Sequence, residues 1–326
     1  MNEQQKPITL SIPLPFRPFA LSFSSPFAQE NRLAICSFDQ NPQNQFRIFR
    51  MVGPSIIAES GAPVKLPQTC CMFSPHGHLK DETDLLLLGG DSLKLYTTAP
   101  NSLTPTAEIQ ISQNNEPITG IDWSLIENSL VLTGSSDATV SALNINTGQI
   151  MQQVIAHDHP IHDVKFCGAS STFVTVGFDG SLRLFDLRDL NNSFILYQTA
   201  KPLTRCAISP IDPNKIATFS RGSNSAIIID SRKPGMAASA NGDQHNEQVT
   251  CIGWSRILPG NFYSSDASGS IILTKFVDDS SSEMEAKEIL KKEGPIESFS
   301  IGPGVLGVAF SDRVDIVNGV TQMNAQ

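Results

Sequence analysis

Two sets of residues along the chain have the types and spacing to do chemistry. His157 stands four residues before Ile161, Thr175 follows on the next alternating segment, and Asp179 lies in the turn after that; His245, Val249 and Asp266 repeat the arrangement. A hydroxyl, an imidazole and a carboxylate in this order are the parts of a nucleophile with its general base and orienting acid. That chemistry needs an exposed hydroxyl beside an oxyanion site. Buried, the same groups satisfy one another instead, and leaving one of them unpaired costs roughly 1–3 kcal/mol.

Other constellations carry less. Cys70, Cys71, His76 and His78 are close in sequence, but neighbours on a strand face opposite sides and no C-x-x-C pair is present, which argues against zinc. Gly89-Gly90-Asp91 has no following Lys-Ser/Thr, so it reads as a strand-to-strand turn and no nucleotide loop. Asp186-Leu187-Arg188 and Asp230-Ser231-Arg232 are two Asp-x-Arg endings in successive segments. Residues two apart on a strand share a side, so each Asp steadies its Arg and both arginines emerge on one rim. The alternative is a surface ion pair with a nearby acid such as Asp189, worth under about 1 kcal/mol.

The elements that must position these residues form a repeat. Alternating apolar strands read FALSFSS (19–25), TCCMFSP (69–75), ITGIDWS (118–124), IHDVKFC (161–167), LTRCAIS (203–209), VTCIGWS (249–255) and IESFSIG (296–302), at intervals of about 42 to 50 residues. Each is followed by further strands; in the fourth repeat these are 171–178, a hairpin turn at Asp179-Gly180, then 181–188 and 193–199. Four short antiparallel strands per repeat, arranged radially, predict an all-β seven-bladed propeller over residues 8–318, with flexible termini at 1–7 and 319–326. The seventh repeat runs out of strands at 313–317 while 8–12 precedes the first, so the two ends are expected to complete one blade, and truncating either should destabilise the whole ring. Segments 233–248 and 278–294 read as loops, either partner-docking elements or solvated spacers. The second carries the one helical pattern, with Met284, Ile289 and Leu290 on its apolar side.

Composition narrows the function. The chain has 326 residues, is 40% hydrophobic and carries a net charge of −9, so there is room for one ring and no basic field for nucleic acid or anionic lipid. Its six cysteines fall mostly inside strands, as buried apolar residues of a reducing compartment, and no secretion signal or membrane span is expected. The first strands carry only isolated charges such as Asp122, Asp163 and Lys165, which argues against a hydrolase or sugar-binding channel. A vesicle-coat or targeting-receptor component would use the same fold.

The recurring His, Ser/Thr and Asp resemble the WD-repeat family, although the name-giving Trp-Asp pair is never intact: Phe185, Leu143, Ile229 and Lys275 stand at the Trp position. The segments 117–124, 135–149, 155–166, 177–198 (GFDGSLRLFDLRDLNNSFILYQ) and 212–219 are similar to one WD40-type scaffold subfamily. It includes the plant transparent-testa-glabra protein and its animal counterpart, a cullin-4-associated factor. The resemblance implies that His157, Thr175, Asp179, His245 and Asp266 are structural braces with no catalytic role, and that no cofactor or metal is used. It further implies a scaffold for protein kinases of the dual-specificity tyrosine-regulated and homeodomain-interacting kinds and for helix-loop-helix or Myb-type transcription regulators, in cytoplasm and nucleus. Alternatively the chain is a substrate receptor of a cullin-4 RING ubiquitin ligase, with Asp186, Arg188, Asp230 and Arg232 contacting the ligase adaptor.

Overall fold

The computed structural model describes residues 8–318 apart from 26–30, 40–42, 54, 78–82, 170, 241–244, 256–257, 259 and 277–283. The expected flexible termini lie outside the described residues, as does His78. The described residues form seven antiparallel sheets of four strands each. Alternation in the sequence dictates this arrangement: each blade turns one row of side chains to each neighbour. Seven apolar clusters result, and every one spans two successive blades rather than filling a single sheet.

The inner strands are Pro18–Phe23, Cys70–Phe73, Ile118–Trp123, Ile161–Phe166, Leu203–Ile208, Val249–Trp254 and Ser298–Gly302, matching the seven repeats. Ring closure is as expected. Ile8–Pro13 pairs antiparallel with Arg313–Asn318 and forms the outer strand of the seventh blade, where Ser11 Oγ donates to the Asp315 carboxylate at 2.6 Å.

Two outer strands differ from the sequence expectation. Met284–Lys291 is not a helix but the outer strand of the sixth blade. Its register slips opposite Ile271 and Ile272, so that the adjacent Ile289 and Leu290 both pack against the core. That bulge breaks the two-residue alternation and leaves a pattern that imitates a helical stripe. Ala237–Ala240, inside the segment read as a loop, is the outer strand of the fifth blade. Its side chains are too small to leave a periodic signal, and pairing with Ile227–Asp230 supplies the order.

A bulge recurs at the inner strands. Register shifts after the first residue in five blades, leaving Phe19, Thr119, His162, Thr204 and Thr250 as the extra residue. In the third and fourth blades the re-aimed side chain reaches the next blade: Thr119 Oγ1 donates to the Ile161 carbonyl at 2.7 Å, and His162 Nδ1 donates to the Leu203 carbonyl at 2.6 Å.

Because the first and third strands of a blade run in the same sense, the ring has two chemically distinct faces. The front carries the blade-to-blade connections and the second-to-third turns; the back carries the first-to-second and third-to-outer connections.

Candidate functional site

On the front, the fourth blade brings its three predicted residues together. The inter-blade connection supplies His157, the second strand Thr175 and the following turn Asp179; Gly180, at φ 74°, makes the turn possible, since a Cβ there would lie 2.1 Å from the Thr199 carbonyl. His157 Nδ1 donates to Asp179 at 2.9 Å, and its Nε2 accepts from Thr175 Oγ1 at 2.8 Å. Ser181 Oγ donates to Asp179 at 2.8 Å and Arg183 Nη2 does so at 3.0 Å. Burial holds the His157 imidazole below its ordinary value despite the pull of Asp179, so the ring is neutral. Asp179 is held low in spite of burial, by hydrogen bonds from Ser181 and His157.

This is the hydrogen-bonding order of a catalytic triad, but the Thr175 side chain is 0% exposed. No substrate reaches its hydroxyl, and the network consumes every polar atom it contains.

The sixth blade repeats the set. His245 Nδ1 donates to Asp266 at 3.0 Å and Nε2 accepts from Ser264 at 2.7 Å, while Ser268 and the Ser270 backbone also donate to Asp266. Ser264 is the counterpart of Thr175 that sequence reading missed, along with Ser181 and Arg183; both hydroxyls stand fourth in their second strands, Thr172–Gly177 and Asn261–Asp266. The third blade holds half a network. Thr139 donates to Asp137 at 2.6 Å, but the buried Thr133 hydroxyl, in the position of Thr175, has no partner among the described residues.

Among the described residues the first two blades show no such brace, and between them lies a pairing that sequence reading did not find. Buried Arg32 contacts Asp84 of the second blade at 3.2 Å and Glu59 of its own blade at 3.4 Å.

On the back, each Asp-x-Arg ending folds onto itself. Arg188 bonds Asp186 through Nη2 at 2.6 Å and Nε at 3.0 Å, with 77% of its side chain exposed. The Arg188 guanidinium holds the Asp186 carboxyl down at about 2. Arg232 bonds Asp230 at 2.7 and 2.8 Å and is 56% exposed. Asp212, unforeseen from sequence, adds a 2.9 Å bond from the first-to-second loop of the same blade. Asp189 does not pair with Arg188; it accepts from Asn192. Exposed Leu125, Ile126 and Ile211, in the first-to-second loops of the third and fifth blades, share this face.

A cavity of about 590 Å³ runs along the inner strands. The charges read as isolated are in fact grouped within it: Lys165 Nζ lies 3.2 Å from Asp163 and 3.8 Å from Asp122. Both carboxylates also accept backbone N–H groups of the following inner strand, Phe166 to Asp122 and Cys206 to Asp163. The cluster ties blades together and leaves neither acid available as a general base. The Cys70 thiol here is inert, since burial raises it to about 12; outside the cavity, burial likewise raises Cys167 to about 11. His76 is engaged with the Ser124 carbonyl at 2.7 Å.

Comparison with known proteins agrees with the blade architecture. The WD domain, G-beta repeat family matches residues 148–186, which include the outer strand of the third blade and the first three strands of the fourth. A DDB1- and CUL4-associated factor 7 homolog of Dictyostelium discoideum is 36% identical over 244 residues, covering 72% of this chain and 74% of the relative. An uncharacterised WD repeat-containing protein of Schizosaccharomyces pombe is 29% identical over 283 residues, covering 76% and 64%. A eukaryotic translation initiation factor 3 subunit I of Coccidioides immitis is 30% identical over 110 residues, about a third of each chain.

Proposed function

The chain belongs to the WD-repeat family of the DDB1- and CUL4-associated factor 7 homolog, and from that premise we propose that it is a substrate receptor which docks on the adaptor of a cullin-4 ubiquitin ligase through Arg188 and Arg232. It is a non-catalytic propeller that works by holding proteins. The observation that carries the docking reading is the pair of forked Asp–Arg contacts at matching ends of adjacent blades. Each carboxylate fixes its guanidinium in one orientation while leaving it exposed, so little side-chain entropy is lost when a partner carboxylate or carbonyl is met. Exposed Leu125, Ile126 and Ile211 add apolar area on the same face.

A second reading is a scaffold that gathers protein kinases and helix-loop-helix or Myb-type regulators, in the manner of the plant transparent-testa-glabra protein, in cytoplasm and nucleus. What favours it is a further exposed apolar rim, Ile150, Met151 and Ile155 on the third blade's outer strand and Phe194 and Ile195 on the fourth's. A ring with a back face and a rim can hold two proteins at high effective concentration.

Quantitative co-purification distinguishes the two, with wild type beside the Arg188→Ala/Arg232→Ala double variant at matched melting temperature. Recovery of the ligase adaptor with wild type and its loss with the variant supports the receptor. Kinases or regulators retained equally by both, with no adaptor in either, would overturn docking and leave the scaffold.

A further inference from the structure

The front mouth of the central cavity is built differently from the back. The inner strand of the fifth blade starts at Leu203, opposite Ser220, so Arg205 near the start of one strand and Arg221 just past the end of its neighbour lie at the same corner. The Arg221 N–H donates to the Pro202 carbonyl at 2.8 Å, which fixes the turn. From the fourth blade His162 reaches across to Leu203, presenting its ring to this corner. Burial, and then the positive charges of Arg205 and Arg221, hold the His162 imidazole below its ordinary value, against the Leu203 carbonyl and Asp163, which act the other way.

Neither arginine has an ion-pair partner among the described residues. Arg205 Nη1 makes one long contact, 3.5 Å to the Thr119 carbonyl across the cavity, and the nearby acids Asp122 and Asp163 are taken up by Lys165 and backbone N–H groups. This is a chain with 32 acidic and 23 basic side chains, in which Arg32, Arg183, Arg188 and Arg232 all hold carboxylates. Two guanidiniums that both bear on His162 and hold no carboxylate among the described residues make a local field opposite in sign to the net charge. Beside them Phe178, 44% exposed, stacks on His159 and meets His162 edge-on, each at 6.1 Å between centroids.

We propose that Arg205 and Arg221, beside the His162 ring, form an anion site at the front mouth that takes a phosphorylated side chain on an extended segment of a protein partner, with Phe178 as the shelf for an apolar neighbour. Two planar forks match a dianion with three acceptor oxygens better than a single carboxylate. The site lies on the face opposite Arg188 and Arg232, so occupying it leaves the back free.

The first probe is inorganic phosphate, titrated against protein carrying isotope-labelled histidine. A saturable shift of the His162 ring signals is expected, absent in Arg221→Gln, whose exposed side chain leaves the melting temperature unchanged. A degenerate phosphoserine/phosphothreonine peptide library should then bind at least about tenfold more tightly than its unphosphorylated form, with the preference lost in Arg205→Gln and Arg221→Gln. Equal binding of both libraries, or a phosphate response unaltered in both variants, would overturn the assignment. So would equal affinity for peptides bearing Asp or Glu in place of the phosphorylated residue, or a preference for single-stranded RNA over any peptide.

Discussion

His162 Nδ1 lies 2.6 Å from the Leu203 carbonyl oxygen, joining the fourth blade to the fifth at the rim of the central cavity. Only a neutral or charged ring with its proton on Nδ1 makes this bond, because a carbonyl accepts and never donates. Thr119 makes the equivalent link from the third blade to the fourth, and both residues are the extra residue of an inner-strand bulge. The bulge thus does work for the ring: it turns a side chain out of its own sheet and onto the next.

Thr119→Val keeps the shape and removes the inter-blade hydroxyl. It should lower stability by about 1 kcal/mol, the ordinary net contribution of one hydrogen bond. A urea midpoint indistinguishable from wild type would show that the contact contributes nothing.

Thr175→Val and Thr133→Val should have opposite signs. The first leaves the buried His157 Nε2 without a donor and should cost about 1–3 kcal/mol. The second removes a buried hydroxyl with no partner and should be neutral or stabilising by up to about 1 kcal/mol. Chemical denaturation of the two variants side by side decides it; destabilisation of similar size by both would refute the distinction between a complete and a half network.

Mild acid should weaken the fold through its buried imidazoles before the brace carboxylates Asp179 and Asp266 protonate. His157 and His245 are held below their ordinary 6.5 chiefly by burial, so the unfolded chain takes up protons that the folded rings refuse. Their contribution is complete above 6.5 and is lost as pH falls from there through the lower folded values; His162 acts with the same sign. Asp179 and Asp266, held below their ordinary 3.8, add a second loss only at more acid pH. The urea midpoint should therefore fall between pH 7 and pH 5, and a flat profile over that window would contradict a neutral buried brace.

Arg32→Ala should be the most damaging of these substitutions, at about 3–5 kcal/mol, because it removes the cation nearest to the buried carboxylates of Asp84 and Glu59 and leaves Glu59 only Arg50, at 3.8 Å. The loss is read from thermal and urea unfolding. A cost below about 1 kcal/mol would mean that the acids find other partners or become protonated.

Much of this was legible in the sequence because the repeat samples one structural problem seven times. His157, Thr175 and Asp179 stood out because His245 stands equally far before its inner strand and Asp266 follows it at nearly the same interval, and ring closure followed from strands left over at the two ends. Contacts that occur once left no such trace. Arg32, Glu59 and Asp84 are far apart in sequence and meet only when the first two blades pack. Asp212 joins Arg232 from a loop whose conformation no local pattern dictates. The outer strands of the fifth and sixth blades were misread for opposite reasons: Ala237–Ala240 has no side chain large enough to show a period, and Ile289 with Leu290 shows the wrong one because a bulge packs both.

The pairing of Ile8–Pro13 with Arg313–Asn318 also sets the order of events at the ribosome. Ser11 is made 304 residues before its partner Asp315. At about 5–20 residues per second the early strand waits for roughly 15–60 s with its edge unsatisfied. Throughout that interval the nascent chain carries an adhesive segment of the kind that β-sheet edges recruit. Its short length and the prolines at positions 7 and 13 that bracket it limit what else it can join, so the ring is sealed by its own last strand rather than by a neighbour's.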